Sequence, residues 1–283
     1  MFMSTKEAAA KWGISERRVR VLCAQGRVDG AIQSSWAYLI PTGAAKPRDG
    51  RQLRHRKQEH LRLGGSGLAA LSTVRKTDVD ELLASLEQRI DSFIIASFAI
   101  EGRALTQEDL RRLTAQQIVP SLSLGDHLLA LHMRSLILSM ARSSSLGQRT
   151  VRLSELYLDE LYASLTLGLV PTVEPGLVHR EGLGDELAVF LLQDERQFAS
   201  SHPLVRALFC YGELLRIAPY TAYNALVAAL VYARIMLEGG WAPALVDADR
   251  IDELKAALVM TKRRGNYLSL TDLVSERYGG WQR

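Results

Sequence analysis

Cysteine is scarce in this 283-residue chain: Cys23 and Cys210 are the only two, far apart, and both fall in apolar helical patterns. Their number excludes a disulfide framework and a cysteine-based zinc site, and it suits a reducing compartment. Long apolar runs are missing as well. The most apolar window, Ala225 to Ala233, is broken by Arg234 and is too short to span a bilayer. The opening MFMSTKEAAAKWG lacks the apolar centre of a signal peptide, so a cytoplasmic protein without a membrane partner is expected. No Gly-rich Walker loop, internal repeat or low-complexity tract is visible. His127, His132, His179 and His202 have no metal-ligand spacing, and no metal site is expected. Adjacent acids such as Asp159 and Glu160 point to different sides of a helix, which fits a solvated face far better than a catalytic dyad.

What is present is ordinary in bulk and uneven in detail. Apolar residues make up 47% of the chain and charged ones 23%, as in a soluble globular protein, and the length suits two domains. The net charge of +4 hides an asymmetry. Residues 1–60 carry 12 Lys/Arg against 5 Asp/Glu, while the remainder carries 23 against 26. A small basic module on a mildly acidic body points to a polyanion partner for the first part, with a solvated basic face as the plain alternative.

The basic part has a readable grammar. Ser4 and Glu7 form a capping box before an alanine-rich helix over about 5–11. Gly13 permits a turn, and Ser15 with Glu16 starts a second helix in which Val19, Leu22 and Cys23 share one face. Arg17, Arg18 and Arg20 are left mainly outside, and Gly26 supplies the C-terminal cap. AIQSSWAYLIP follows, with strand-forming residues around a Ser-Ser turn, and then the basic tail KPRDGRQLRHRK. In EAAAKWGIS, RRVRVLCAQGRV, GAI and SWAYLIP, residues 4–51 resemble the winged helix-turn-helix of MerR-type and excisionase-type proteins. The resemblance makes Trp36 a core residue. It implies double-stranded DNA as partner, with Arg17, Arg18 and Arg20 entering the major groove and Arg27, Ser34 and Ser35 around the wing. For each arginine the plain alternative is a solvated charge, and for the module a protein-binding winged helix.

Residues 1–50 are therefore read as the first domain, 51–76 as a linker and 77–283 as a second domain. The linker combines a basic run with a Gly-Gly-Ser-Gly break. Beyond it the pattern is helical throughout: a long stretch from Thr77, then segments near 107–116, 125–142, 153–167, 183–195, 201–217, 222–238, 250–260 and 270–277, with Ser269 and Asp272 capping the last. The fold class expected is mainly α, a small winged helix-turn-helix domain plus an all-α body.

Three ordered segments of that body resemble a Fic domain. ASFAIEGRALT at 96–106 matches the family's inhibitory motif through Ser97, Glu101 and Gly102. HPLVRALFCYGELLRI at 202–217 resembles the helix that leads into the Fic loop. APYTAYNALVAA at 218–229 aligns without a gap to HPFxxGNGRxxR, and LEGGWAP at 237–243 is similar to what ends the following helix. The resemblance covers roughly 77–278. It implies transfer of a nucleoside monophosphate from ATP to a protein hydroxyl, with the motif histidine as general base and the Gly-Asn-Gly turn as a phosphate nest at a helix N-terminus.

Against that chemistry this sequence departs at most positions. Ala218 stands where the histidine should be. Pro219 and Asn224 are kept, and Tyr220 replaces Phe conservatively. Tyr223 and Ala225 occupy both glycine positions, and Leu226 and Ala229 replace both arginines. The resemblance pairs Glu101 with the second arginine. With Ala229 there, Glu101 is expected as a relic, as a capping or solvated glutamate, or facing another cation.

The reading that follows is a DNA-binding, transcription-type regulator with a catalytically inactive Fic-like body used for dimerisation, partner binding or ligand sensing. No cofactor is expected, and a homo-oligomer, a dimer above all, is expected because a helix-turn-helix reader usually binds in two copies. The alternative is an active Fic-type nucleotidyltransferase using ATP and Mg, recruited by the helix-turn-helix, with His202 or His179 as a substitute base. An architectural, excisionase-type protein that bends recombination sites is the third.

Overall fold

The computed structural model describes residues 2–24, 28, 30–34, 37–47, 79–145, 152–169, 184–199 and 201–279. Gly26, Arg27, Ser35, Trp36, His179 and the linker 51–76 lie outside the described residues, and of Ser34 only the backbone is described. The chain divides into two compact units, Met1–Arg54 and His55–Arg283.

The first unit runs β1 (Phe2–Met3), α1 (Thr5–Trp12), α2 (Glu16–Ala24), β2 (Ile32–Ser34) and β3 (Ala37–Pro41). Ser4 and Glu7 form the capping box reciprocally: Ser4 N–H donates to Glu7 Oε2 at 2.7 Å and Glu7 N–H to Ser4 Oγ at 3.3 Å. Ser15 caps α2 by accepting from Arg18 N–H at 3.3 Å. β3 is the middle of three antiparallel strands, with Met3 opposite Ile40 and Ile32 opposite Leu39. Ala8, Trp12, Val19, Leu22, Cys23 and Ile40 close a small core between the helices and one sheet face.

All regular elements among the second unit's described residues are helices. It comprises α3 (Val79–Ile100), α4 (Gln107–Thr114), α5 (Leu124–Ser145), α6 (Glu155–Leu165), α7 (Gly184–Gln193), α8 (Pro203–Ile217), α9 (Asn224–Glu238), α10 (Ile251–Arg264) and α11 (Leu268–Gly279). Helix α9 is the axis. From Ala225 to Leu237 every side chain is buried, all round the helix and with Arg234 paired to Glu238, and it packs against α8, α5, α3 and α6. Gly212 lets α10 and the start of α11 approach α8: a Cβ there would stand 2.8 Å from the Tyr267 ring and 2.9 Å from Thr261.

Two features differ from the sequence expectation. The last helix starts at Leu268, because Asn266 Oδ1 accepts from Leu268 N–H at 3.0 Å, so Ser269 and Asp272 lie inside it. Helix α7 widens into a π-turn over Asp194–Phe198, where buried Asp194 takes a two-pronged ion pair from Arg206 of α8 at 2.9 and 2.7 Å. Among the described residues no helix is long and apolar enough to cross a membrane, and no cluster of three or more His, Cys, Asp or Glu could hold a metal ion.

Candidate functional site

The loop between α8 and α9 is built from residues that would not choose its shape. Ala218 ends α8 at φ 47° and Tyr223 precedes α9 at φ 61°, both in the left-handed region. Each non-glycine residue there costs roughly 1–2 kcal/mol, so the surroundings must hold it. Part of the hold is local. Asn224 folds back on Tyr220: its Oδ1 accepts from Tyr220 N–H at 2.9 Å and its Nδ2 donates to Tyr220 C=O at 2.8 Å. Pro219 is buried beside it. Tyr220 stacks on Tyr162 of α6 with ring centroids 4.2 Å apart, and its hydroxyl donates to Asp159 at 3.1 Å. Burial first, and then the nearby Asp159 carboxylate, pushes that phenol far above its ordinary value.

The rest of the hold comes from the far side of the sequence. Glu101 lies just past the C-terminus of α3, followed by Gly102 at φ 82°, a glycine-favouring turn that ends the helix. The Glu101 carboxylate accepts from Tyr223 N–H at 2.9 Å through Oε1 and from Ala225 N–H at 2.7 Å through Oε2. It therefore covers the positive end of the α9 dipole and satisfies a donor of its first turn that has no partner within the helix. The backbone nest survives the loss of both glycines, because Tyr223 still adopts the left-handed conformation. Its anion is this chain's own carboxylate. Of the roles open to it in the sequence, Glu101 takes that of a capping glutamate, and the helix end it caps is that of α9, delivered from beyond α3.

The surroundings fit a negative charge. Arg103 lies over the Tyr223 ring at 5.1 Å and pairs with Asp126. Desolvation lowers the ammonium of Lys262 on α10, and the Glu101 charge works in the opposite direction. Tyr211 of α8 is fully buried, its hydroxyl lacks a hydrogen-bond partner among the described residues, and burial reinforced by the Glu101 charge raises it strongly. Ser97 takes no part in the nest; its hydroxyl bonds back to Phe93 C=O at 2.7 Å inside α3. Leu226 and Ala229 point into the core at 0% exposure, so the positions where the resemblance places arginines are packing positions.

Glu101→Ala leaves two backbone donors to water alone. It is expected to cost about 1–3 kcal/mol of stability, seen as a lower urea midpoint with an unchanged slope. An unchanged midpoint would mean that the carboxylate does not hold the loop.

Of the two candidate substitute bases, His179 lies outside the described residues and His202 is described. His202 stands at the other end of α8, where its Nδ1 accepts from Leu204 N–H at 3.2 Å as the N-cap. Fifteen helical residues separate it from Ala218, about 22 Å at 1.5 Å per residue. His202 does not reach the loop. The Glu101 carboxylate occupies the nest where the resemblance implies a phosphate, and Ala218, Leu226 and Ala229 carry neither a base nor a cationic side chain. A shallow pocket elsewhere, lined in part by Asp247, Arg250, Glu276 and Arg277, has its charges paired internally, Arg277 with Asp247 at 2.6 Å and Arg250 with Glu276 at 2.7 Å.

In the first unit the candidate groove residues take distinct environments. Arg17 and Arg20 are exposed and Arg18 is half-buried on α2. Arg20 is braced: its Nη2 donates to Glu16 Oε1 at 2.6 Å, and Thr5 Oγ1 of α1 donates to the same oxygen at 2.9 Å.

A scan against protein-family models finds no match, and a search of curated proteins finds none either. Solved structures do match. Fic-1 from C. elegans (residues 134–508) superposes with a TM-score of 0.55 at 18% identity, over 82% of this chain and 68% of that one. A Fic family protein from Desulfovibrio desulfuricans G20 gives a TM-score of 0.51 at 16% identity, over 79% of this chain and 78% of that one. At such identities the likeness speaks for architecture alone, and on that ground the chain carries the all-helical Fic fold.

Proposed function

We infer that this chain is a DNA-binding regulator of transcription type whose Fic-like domain no longer transfers nucleotides and serves dimerisation, partner binding or ligand sensing. The first unit supplies the DNA reader, through the basic outer face of α2. The second unit supplies a rigid body. One observation carries the inactive reading: the Glu101 carboxylate occupies the backbone nest of Tyr223 and Ala225, where the resemblance puts a phosphate. A phosphate would have to displace it, with no arginine at Leu226 or Ala229 to offset its charge. Losing a positioned base such as the one replaced by Ala218 typically costs about 10²–10⁴-fold in rate. The partners proposed are double-stranded DNA and a second copy of the chain.

Calorimetric titration of the full chain with ATP and Mg tests the reading of the loop. Only heats of dilution are expected. A saturable isotherm would contradict it.

A further inference from the structure

Helix α2 turns Val19, Leu22 and Cys23 into the core of the first unit. On its opposite side Val21 stays 37% exposed. It lies one turn from Arg17 and next to Arg20, both exposed on the same outer surface. Val21 is therefore an apolar side chain that the core does not use, set among the cations of the face proposed to meet DNA. Charge complementarity selects the occupant of this face: Arg17, Arg18 and Arg20 of α2 suit a polyanion.

The major groove offers an apolar side chain one specific partner, the 5-methyl group of thymine. Arg20 is meanwhile oriented by Glu16, itself bonded to Thr5, through one of its guanidinium nitrogens, Nη2, and its other N–H donors suit a guanine edge. We propose that Val21 is a specificity-determining residue that reads a thymine methyl beside the guanine taken by Arg20. The proposal rests on the DNA-binding reading above, and the experiment separates the two.

The full chain first selects duplexes from a random pool at physiological salt. The enriched duplex is then remade with deoxyuridine in place of each thymine in turn, which keeps every hydrogen-bonding group and removes one methyl. Wild-type protein should bind about fourfold more weakly at one thymine per half-site, the effect of losing one buried methyl. Val21→Ser, an exposed change that leaves the core untouched, should bind the thymine and deoxyuridine duplexes equally at that position. If wild type tolerates deoxyuridine everywhere, or Val21→Ser remains as sensitive as wild type, the Val21 assignment is wrong while DNA binding stands. If no sequence is enriched, the DNA reading itself fails, and this proposal with it.

Discussion

Replacing Arg17 and Arg20 together with alanine is expected to abolish sequence-specific DNA binding while leaving the helical content unchanged. A good two-pronged arginine–guanine contact is worth about 1–3 kcal/mol of discrimination, so two of them account for roughly 30-fold to more than 10⁴-fold in affinity. The fold should not notice. Arg17 is exposed, and the Arg20–Glu16 pair has side chains 59% and 40% exposed, the kind of helical surface pair worth about 0.3–0.5 kcal/mol. Fluorescence anisotropy against the selected duplex, with far-UV circular dichroism as the control, separates the two effects. Residual binding should be weak, indifferent to sequence and steeply reduced by added salt, since only phosphate neutralisation remains. Unchanged affinity in the double variant at physiological salt would remove α2 from the interface.

The second large effect concerns the α8–α9 loop as a structural element. Tyr220→Ala is expected to destabilise the protein by about 3–5 kcal/mol, which for a unit of this size lowers the melting temperature by roughly 6–20 °C. The ring is 1% exposed, stacked on Tyr162 at 4.2 Å, and its hydroxyl donates to Asp159, itself only 8% exposed. Tyr220→Phe keeps the stack and removes the donor to Asp159, so a loss of about 1–2 kcal/mol is expected. The graded pair distinguishes a packed loop from one held open for a substrate. In an open loop both changes would leave the melting temperature nearly where it was. A melting temperature within 2 °C of wild type for Tyr220→Ala would contradict the packing account.

Much of the helical fold was legible in the sequence, because apolar periodicity is a local signal. The segments expected near 107–116, 201–217 and 222–238 correspond to α4, α8 and α9 within two or three residues. Boundaries slipped where capping came from an unexpected side chain, as with Asn266 in place of Ser269. The π-turn after α7 was invisible, since its cause is the buried Asp194–Arg206 pair, whose partners are twelve residues apart on different elements.

The candidate site was legible in outline and not in its central contact. The register of APYTAYNALVAA located the loop and showed which side chains were missing. Glu101, however, meets Tyr223 and Ala225 across 122 and 124 residues, and its partners are backbone N–H groups, which leave no mark on residue identity. Tyr223 and Ala225 replace the two residues that most easily adopt the backbone of such a nest. In fact the left-handed backbone persists at Tyr223, stabilised by the carboxylate it binds. The one sequence signal that pointed to this contact was the pairing of an acid with a helix-ending glycine, Glu101 with Gly102, in a segment already matched to an inhibitory motif.

The most direct test of the central claim is covalent label transfer. The purified full chain is incubated with α-labelled ATP, Mg and cell lysate, alongside the Glu101→Ala variant in which the nest is vacated. With no base at Ala218 and no arginine at Leu226 or Ala229, neither protein should label itself or any lysate protein above background. Robust incorporation by the wild-type chain, abolished by mutation in the α8–α9 loop, would contradict the account.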